Sequence, residues 1–506
     1  MKHNRLVIDA FAYTFAGYLV QPLAIISSLW TKRLIGPYLV GVLATLTLVT
    51  SYSGFSNLGM LSAAERDLPV LKGAGNSEGF NRMRDTIFTL TVISGVVFAV
   101  LMFAGALIYR SAIDLALFEG LVACALVVVL QQWAFYYITL LRTHQEFVFL
   151  SKVQVLSAAL ASFGNVLAAL LFGFRGLLIS TVLVAAVQIA LLRQHHNQLP
   201  ALGLDRREVK HLFSVGVPLL AFGLVMTGMR TIDNMMVLRL LGTEALGLYS
   251  IALMANGILF ALTNSLSGVL YPRMQAAYGR SKTLESLSEY VIRPTLIMGL
   301  ILPVLMALIF FGVPFAVQAF LPRFIPGLPA FRVIVAVTYF FAMFQMSSAF
   351  LIALNKQFRV MLLLGVALLV TTLLSMVFTQ LSWGLVGIAS AVGVGYALCF
   401  VSVNTYAVRH WAGWRQIARF LWDAALPFLY SVVLLMMLEV LLPDEQPNLV
   451  LAASVTALKF VLFCLGYIPL LLILERRTGL LADFGYPLLR SLHGRMVAIR
   501  LRDGQA

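Results

Sequence analysis

Charge is scarce in this sequence. Asp, Glu, Lys and Arg together make up 11% of its 506 residues, against roughly 25% in a soluble globular chain. That shortage excludes a water-soluble fold, because too few polar side chains exist to cover its surface. Cysteine is rarer still. The three copies, Cys124, Cys399 and Cys464, sit inside apolar runs with no metal-ligand spacing, which excludes a disulfide framework and leaves them as small apolar residues.

Hydrophobic residues fill the space, at 61% of the chain. They fall into repeated stretches of about 20 residues cut by short polar loops, the pattern of membrane-spanning helices. Barrel strands would alternate rather than run continuously. The reading is an all-α polytopic membrane protein with about 14 transmembrane helices. The first span covers 8–30, the second 38–60, the seventh 212–238, the eighth 246–270, and the last two 424–442 and 449–474. The first carries no small-residue cleavage site after its apolar run and reads as retained rather than as a signal peptide.

An even count puts both termini on one side, and charge says which. With the termini inside, 27 of the 36 Lys and Arg residues lie on inner segments and seven on outer loops, Lys32, Arg33 and Arg239 among them. This is the positive-inside bias, so both termini are expected to be cytoplasmic. The net charge of +15 is thereby explained by topology and anionic lipid, and no nucleic acid is expected as a partner. The tail from Glu475 holds six arginines among apolar residues and reads as an amphipathic helix on the inner leaflet.

The chain also repeats itself. "KRLIGPYLVGVL" at 32–43 matches "LRLLGTEALGLY" at 238–249, with Arg33, Gly36 and Gly41 shifted by 206 to Arg239, Gly242 and Gly247. "QEFVF" at 145–149 faces "KQFRV" at 356–360, and Gly173 and Gly176 face Gly384 and Gly387, all shifted by 211. Six spans separate the copies, so they share one orientation. The expected organisation is an N-terminal lobe over 1–192, a cytoplasmic linker over 193–211 and a C-terminal lobe over 212–407. Helices 13 and 14 over 408–474 and the tail over 475–506 are appended. Parallel repeats of this kind occur in transporters, with the substrate site where the halves meet.

Polar residues stripe the first two spans of each half. Span 7 carries Gly223, Thr227, Arg230 and Asn234 at helical spacing, with Asp233 beside them; span 1 carries Gln21, Ser27 and Ser28. Span 2 adds Thr50 and Asn57, and span 8 adds Asn256, Thr263 and Asn264. Such stripes face either a watery cavity or a neighbouring helix. Arg230 lies about 22 Å into its span, where it either reaches the outer headgroups, pairs with Asp233 or faces a cavity. Lys459 falls near the middle of span 14; Glu439 is its nearest partner in sequence, about 10 Å different in depth, and structural pairing and a lipid-tail groove stand equal.

On these residues the sequence resembles the MOP flippase superfamily, in its polysaccharide-exporter branch. The resemblance rests on Gly216-Val-Pro218 opening span 7, Asp233, "RLLGTEALGLYSIA" at 239–252, "IGPYLVGVL" at 35–43, and "GFSNLGMLSAAERD" at 54–67 with Gly59 and Arg66. It extends over twelve spans, and fourteen are common in that branch. Asn57 stands where the branch often has an acidic residue.

The resemblance implies a V-shaped pair of lobes opening alternately to either side of a bacterial inner membrane. The cargo would be an isoprenoid-diphosphate-linked oligosaccharide, flipped for surface or exopolysaccharide assembly. Membrane lipids are its surroundings, and a polysaccharide polymerase with other assembly proteins its partners. Candidate substrate-binding residues are Arg230, Asp233, Asn234, Asn57, Asn256, Asn264 and Gln21. Arg66 and Arg273 join them as headgroup receivers or as ordinary positive-inside anchors.

Two rivals differ in class. A MATE-like, cation-coupled exporter of small molecules shares the architecture but tends to use a buried acid in its first half, and here Asp9 and Glu119 lie near span ends. A membrane enzyme needs acid–base groups on sizeable loops. The longest outer loop, "PFAVQAFLPRFIPGLP" at about 314–329, has no Asp, Glu or His and reads as an interfacial lid. The chain therefore reads as a transporter rather than an enzyme, and no cofactor or metal is expected.

Overall fold

The computed structural model describes the backbone of residues 2–195, 200–281, 285–443 and 448–478, and side chains within 21–195, 200–261, 288–443 and 448–474, with Thr263 and Met274. Every regular element among them is helical. The α-helices in chain order are α1 (Lys2–Ser53), α2 (Met60–Gly73), α3 (Ser77–Ile108), α4 (Leu115–Thr143), α5 (Phe147–His195), α6 (Arg206–Leu241) and α7 (Thr243–Ser281). They continue as α8 (Glu285–Phe320), α9 (Leu328–Met343), α10 (Gln345–Ala353), α11 (Gln357–Gln380), α12 (Gly384–Val408), α13 (Trp414–Leu441) and α14 (Leu449–Thr478), with a 3₁₀ turn at Pro322–Gly327.

Among the described residues, twelve helical stretches are long and apolar enough to cross a membrane. Two of them are pairs of helices joined at Gly36 and Gly173, whose backbones are not helical. Divided there, the spans number about fourteen. The expected loop over 314–329 differs from its reading as a lid: α8 runs on through Pro314 to Phe320, and Phe324 and Gly327 of the 3₁₀ turn are buried. Val317, Leu321, Phe324 and Leu328 are buried while Phe320 and Ile325 remain exposed, so the segment is a half-packed helical turn rather than a loop laid over an interface.

The internal repeat is written in backbone angles. Gly36 has φ 79° and ψ 172°; its counterpart Gly242 has φ 91° and ψ −179°. Gly173 and Gly384 form a second pair, at φ 59° and 53°. Positive φ strains side-chain-bearing residues, so glycine recurs where each half must turn. Gln145 and Asn355, at φ 62° and 56°, mark a third shared turn. It sits at an offset of 210, one residue less than sequence matching assigned, because α5 begins at Phe147 and α11 at Gln357.

Two compact units result. The first comprises Met1–Ala261, Val317–Ile334 and Gln357–Gly395. In it α1 lies along α5, α3 and α4 pair, and α6 packs against α2 and α11. Its largest apolar cluster joins Met60, Leu68, Ile87, Tyr136, Leu141 and Leu212. The second unit comprises Leu262–Ala316, Val335–Lys356 and Tyr396–Ala506. There Tyr339 donates to the carbonyl of Ala424 at 2.6 Å, Phe340 packs on Phe428, and Ser347 donates to Asn404 Oδ1 at 2.6 Å.

Within the first unit the two halves of the repeat touch backbone to backbone at two levels. A Cβ on Gly41 would lie 1.8 Å from the carbonyl oxygen of Thr243, and one on Gly247 would lie 1.8 Å from that of Pro37. Thr243 is Pro37 shifted by 206, so the contact is its own mirror under the repeat. At the other level, Gly59 and Gly216 meet backbone to backbone, a Cβ on Gly59 lying 2.1 Å from the carbonyl oxygen of Gly216.

Candidate functional site

Between those two levels lies a cavity of about 410 Å³, lined by residues of α1, α5, α6 and α7. Helix α1 supplies Ala24, Ser27, Ser28, Thr31 and Lys32 before the Gly36 bend and Val40, Thr47 and Ser51 after it. Ala161, Ser162 and Asn165 come from α5, Thr231 and Asn234 from α6, and Ser250 and Leu253 from α7. The spacing of Ser27, Ser28, Thr31 and Lys32 is that of one helical face, which is why one stretch of α1 presents hydroxyls and a cation together.

Lys32 is the residue sequence reasoning placed wrongly for function: it was one more outer-loop cation. Helix α1 in fact runs past it to Gly36, and its side chain is buried, 7% exposed. Its Nζ donates to the carbonyl of Ser250 at 2.9 Å. A lysine four residues before a glycine bend carries no cavity signal of its own, because α7 comes from 218 residues away.

The expected site residues divide. Asn234 and, beside Arg230, Thr231 reach the cavity wall. Thr231 shares a hydrogen bond of 2.8 Å with the hydroxyl of Tyr52. Arg230 is half-buried, with its guanidinium 5.5 Å from the centre of the Phe260 ring. Asp233 is 1% exposed and accepts from the Tyr249 hydroxyl at 3.1 Å and the backbone N–H of Asn234 at 2.8 Å.

Asn57 holds a turn. It accepts from the N–H of Gly59 at 3.1 Å and donates to the carbonyl of Gly54 at 3.0 Å. Gln132 braces the same turn by donating to the carbonyl of Ser53 and the hydroxyl of Ser56. Leu58 and Gly59 both have positive φ, and an amide that ties down such a bend is a usual asparagine role. Asn256 is buried, and Gln21 is half-buried on α1. The side chains of Asn264 and Arg273 lie outside the described residues, as does the tail beyond 478.

Arg66 stands at the far end from the cavity and pairs with Asp67 at 2.7 Å. Asp67 also contacts His211 of α6 at 2.9 Å, close to the Gly59–Gly216 contact. Burial opposes ionisation of Asp67, but hydrogen bonds from Arg66 and His211 outweigh it and hold the carboxyl below its ordinary value. The stabilisation is therefore complete above pH about 4 and is lost as pH falls through the lowered value. Thermal unfolding of the purified protein should show an acid-side loss of stability that Asp67→Asn flattens; a wild-type profile identical to that of the variant removes the pair from the account.

Chemically, the cavity offers hydroxyls, amides and one ammonium. Among the described residues no carboxylate lines it, and no group of His, Cys, Asp and Glu is arranged to hold a metal. These polar groups are set among Ala24, Val40, Leu43, Ala44, Leu48 and Leu253, so the wall is mixed, with polar partners where an apolar span would have none.

Comparison with solved structures gives the same fold. The lipid II flippase MurJ in its inward closed conformation superposes with a TM-score of 0.62 at 12% identity, covering 91% of this chain and 99% of its own. An outward-facing multidrug resistance MATE transporter of the MOP superfamily gives 0.60 at 16% identity, covering 82% and 96%. A MOP superfamily transporter from Pyrococcus furiosus, described by the reversed polarity of its binding pocket, gives 0.53 at 17% identity, covering 82% and 95%. No curated protein matches the chain in sequence. A family profile for polysaccharide biosynthesis proteins matches residues 32–322, more than half of the chain, and the protein belongs to that family.

Proposed function

We propose that this protein flips an isoprenoid-diphosphate-linked oligosaccharide from the inner to the outer leaflet of the bacterial inner membrane, by alternating access between lobes 1–192 and 212–407. The supporting observation is the cavity wall: hydroxyls and amides at Ser27, Ser28, Asn165 and Asn234, a buried ammonium at Lys32, and no carboxylate among the described residues. Sugars need donors and acceptors, and a diphosphate needs cations. A cation-coupled exporter of small cationic molecules needs the opposite charge. In this reading both termini are cytoplasmic, Arg66 and Arg273 receive the headgroup, and a polymerase consumes the flipped cargo.

The test is the lipid-linked glycan pool of the native bacterium with the gene deleted, then restored by wild type or Arg230→Ala. Deletion is expected to trap diphosphate-linked oligosaccharide on the inner leaflet and to strip surface polysaccharide. Wild type restores both; Arg230→Ala at equal protein level restores neither, which puts Arg230 on the path. An unchanged glycan pool with raised sensitivity to cationic drugs transfers the chain to the exporters.

A further inference from the structure

Lys32 does two things at once. It is the cation of the cavity, and its bond to the Ser250 carbonyl ties the first helix of one half to the second helix of the other. An ammonium has three N–H donors, and among the described residues one protein acceptor is present for it. A buried charge with a single neutral acceptor is poorly compensated, since burying an ion is costly unless it is both paired and hydrogen-bonded. Among the described residues no carboxylate lines the cavity to balance that charge.

The surroundings repeat the deficit. The Ser250 hydroxyl and the Oδ1 atoms of Asn165 and Asn234, all in the cavity wall, are buried without a hydrogen-bond partner among the described residues. Ser250 is 6% exposed. Unsatisfied buried polar atoms each cost on the order of 1–3 kcal/mol, so a rearrangement of this wall that gives them partners is favoured. An anion satisfies the Lys32 ammonium better than a neutral acceptor does, and any N–H or O–H donor satisfies the amide oxygens.

We infer that Lys32 is an anion-operated latch. An anionic group of the cargo, phosphate or carboxylate, takes the Lys32 ammonium from the Ser250 carbonyl. The N-terminal and C-terminal halves are thereby untied at the end where Gly41 and Gly247 touch. An anion attracts the ammonium more strongly than a neutral carbonyl does, and swinging the ammonium onto the anion breaks its bond to Ser250. A ligand shifts a two-state equilibrium only through contacts that differ between the states, and this bond is such a contact. An uncharged molecule attracts the ammonium no better than the carbonyl does and leaves the latch closed. The inference rests on the flippase reading only for the source of the anion.

The test uses the full-length protein in nanodiscs, with Cys464→Ser to remove the half-buried thiol and Leu253→Cys as a reporter in the cavity wall. The rate of maleimide labelling is measured with pyrophosphate, with glucuronate, and with chloride at matched ionic strength. Pyrophosphate is expected to raise labelling by at least about fivefold, the low end of ordinary allosteric coupling. Lys32→Met should label fast without any anion and respond to none; Lys32→Arg should keep the response. A response to pyrophosphate alone names the lipid headgroup as the source, and one to glucuronate names an acidic sugar; either supports the latch.

Labelling that ignores both anions, or a Lys32→Met protein that responds as wild type does, overturns it. So does a Lys32→Met protein that is as slow to label as wild type. These outcomes are independent of the glycan-pool experiment: an anion response beside an unchanged glycan pool keeps the latch and removes the oligosaccharide.

Discussion

If the protein flips its cargo as proposed, replacing Gly41 with valine is expected to stop transport while the protein still folds and inserts. The reason is a clash of backbone with side chain that no rotamer relieves. A Cβ at this position would lie 1.8 Å from the Thr243 carbonyl oxygen and 3.0 Å from the backbone nitrogen of Gly247. The obstacle is a helix backbone, so α7 must move away from α1 by roughly an ångström or more. Overpacking of this kind costs about 1–3 kcal/mol. Here the cost falls only on the state in which the two helices touch, and it shifts that equilibrium by up to about two decades.

The internal repeat sharpens the expectation. Gly247→Val meets the Pro37 carbonyl at the same 1.8 Å and should behave as Gly41→Val does. Gly59→Val is blocked by the Gly216 carbonyl at 2.1 Å and should affect the opposite level. Gly105 has no neighbour within 4 Å of a new Cβ, and Gly105→Val is the control for inserting a valine into a helix. Surface polysaccharide and membrane protein level are measured for all four. Normal polysaccharide with Gly41→Val and Gly247→Val at normal levels would falsify the claim that the contact belongs to the working cycle.

Those glycines were legible before any coordinates. Gly36, Gly41, Gly242 and Gly247 recur at one spacing, and a backbone that needs positive φ or a neighbour at contact distance writes glycine into the sequence. The spans were legible for a similar reason, since lipid demands long apolar runs. The polar site was legible only as a set of helices. Periodicity put a stripe on α6, but Asn57 carries the same polar signature and holds a turn, because an amide bonds to backbone as readily as to a ligand. Lys32 was illegible because its meaning comes from Ser250, and no local pattern joins residues so far apart in the chain. Charge counting assigned it to a loop; burial assigns it to a cavity.

Lys459 shows the same limit from the other side, and it supports the largest stability effect. Counting residues put it about 10 Å from Glu439 in depth, yet its Nζ lies 3.1 Å from Glu439 Oε2, with the lysine side chain fully buried and the carboxylate 21% exposed. The Phe311 ring stands 5.7 Å from the ammonium. The pair thus fastens α14 to α13 beside α8, in the company of Tyr430 donating to the Gly466 carbonyl at 2.6 Å and Tyr467 donating to that of Leu300 at 3.2 Å. Removing one partner of a buried ion pair leaves the other charge uncompensated and costs about 3–5 kcal/mol. Lys459→Met is therefore expected to cut the yield of folded protein sharply and to lower its unfolding temperature. Exchanging both ends, as Lys459→Met with Glu439→Leu, should recover most of that loss, since apolar replacement of a whole pair is often neutral. Thermal unfolding and polysaccharide export of the double variant then separate two roles. Recovered stability with recovered export makes the pair a structural pin; recovered stability without export makes it part of the transport cycle. A single variant as stable as wild type removes the pair from the energetics of the fold.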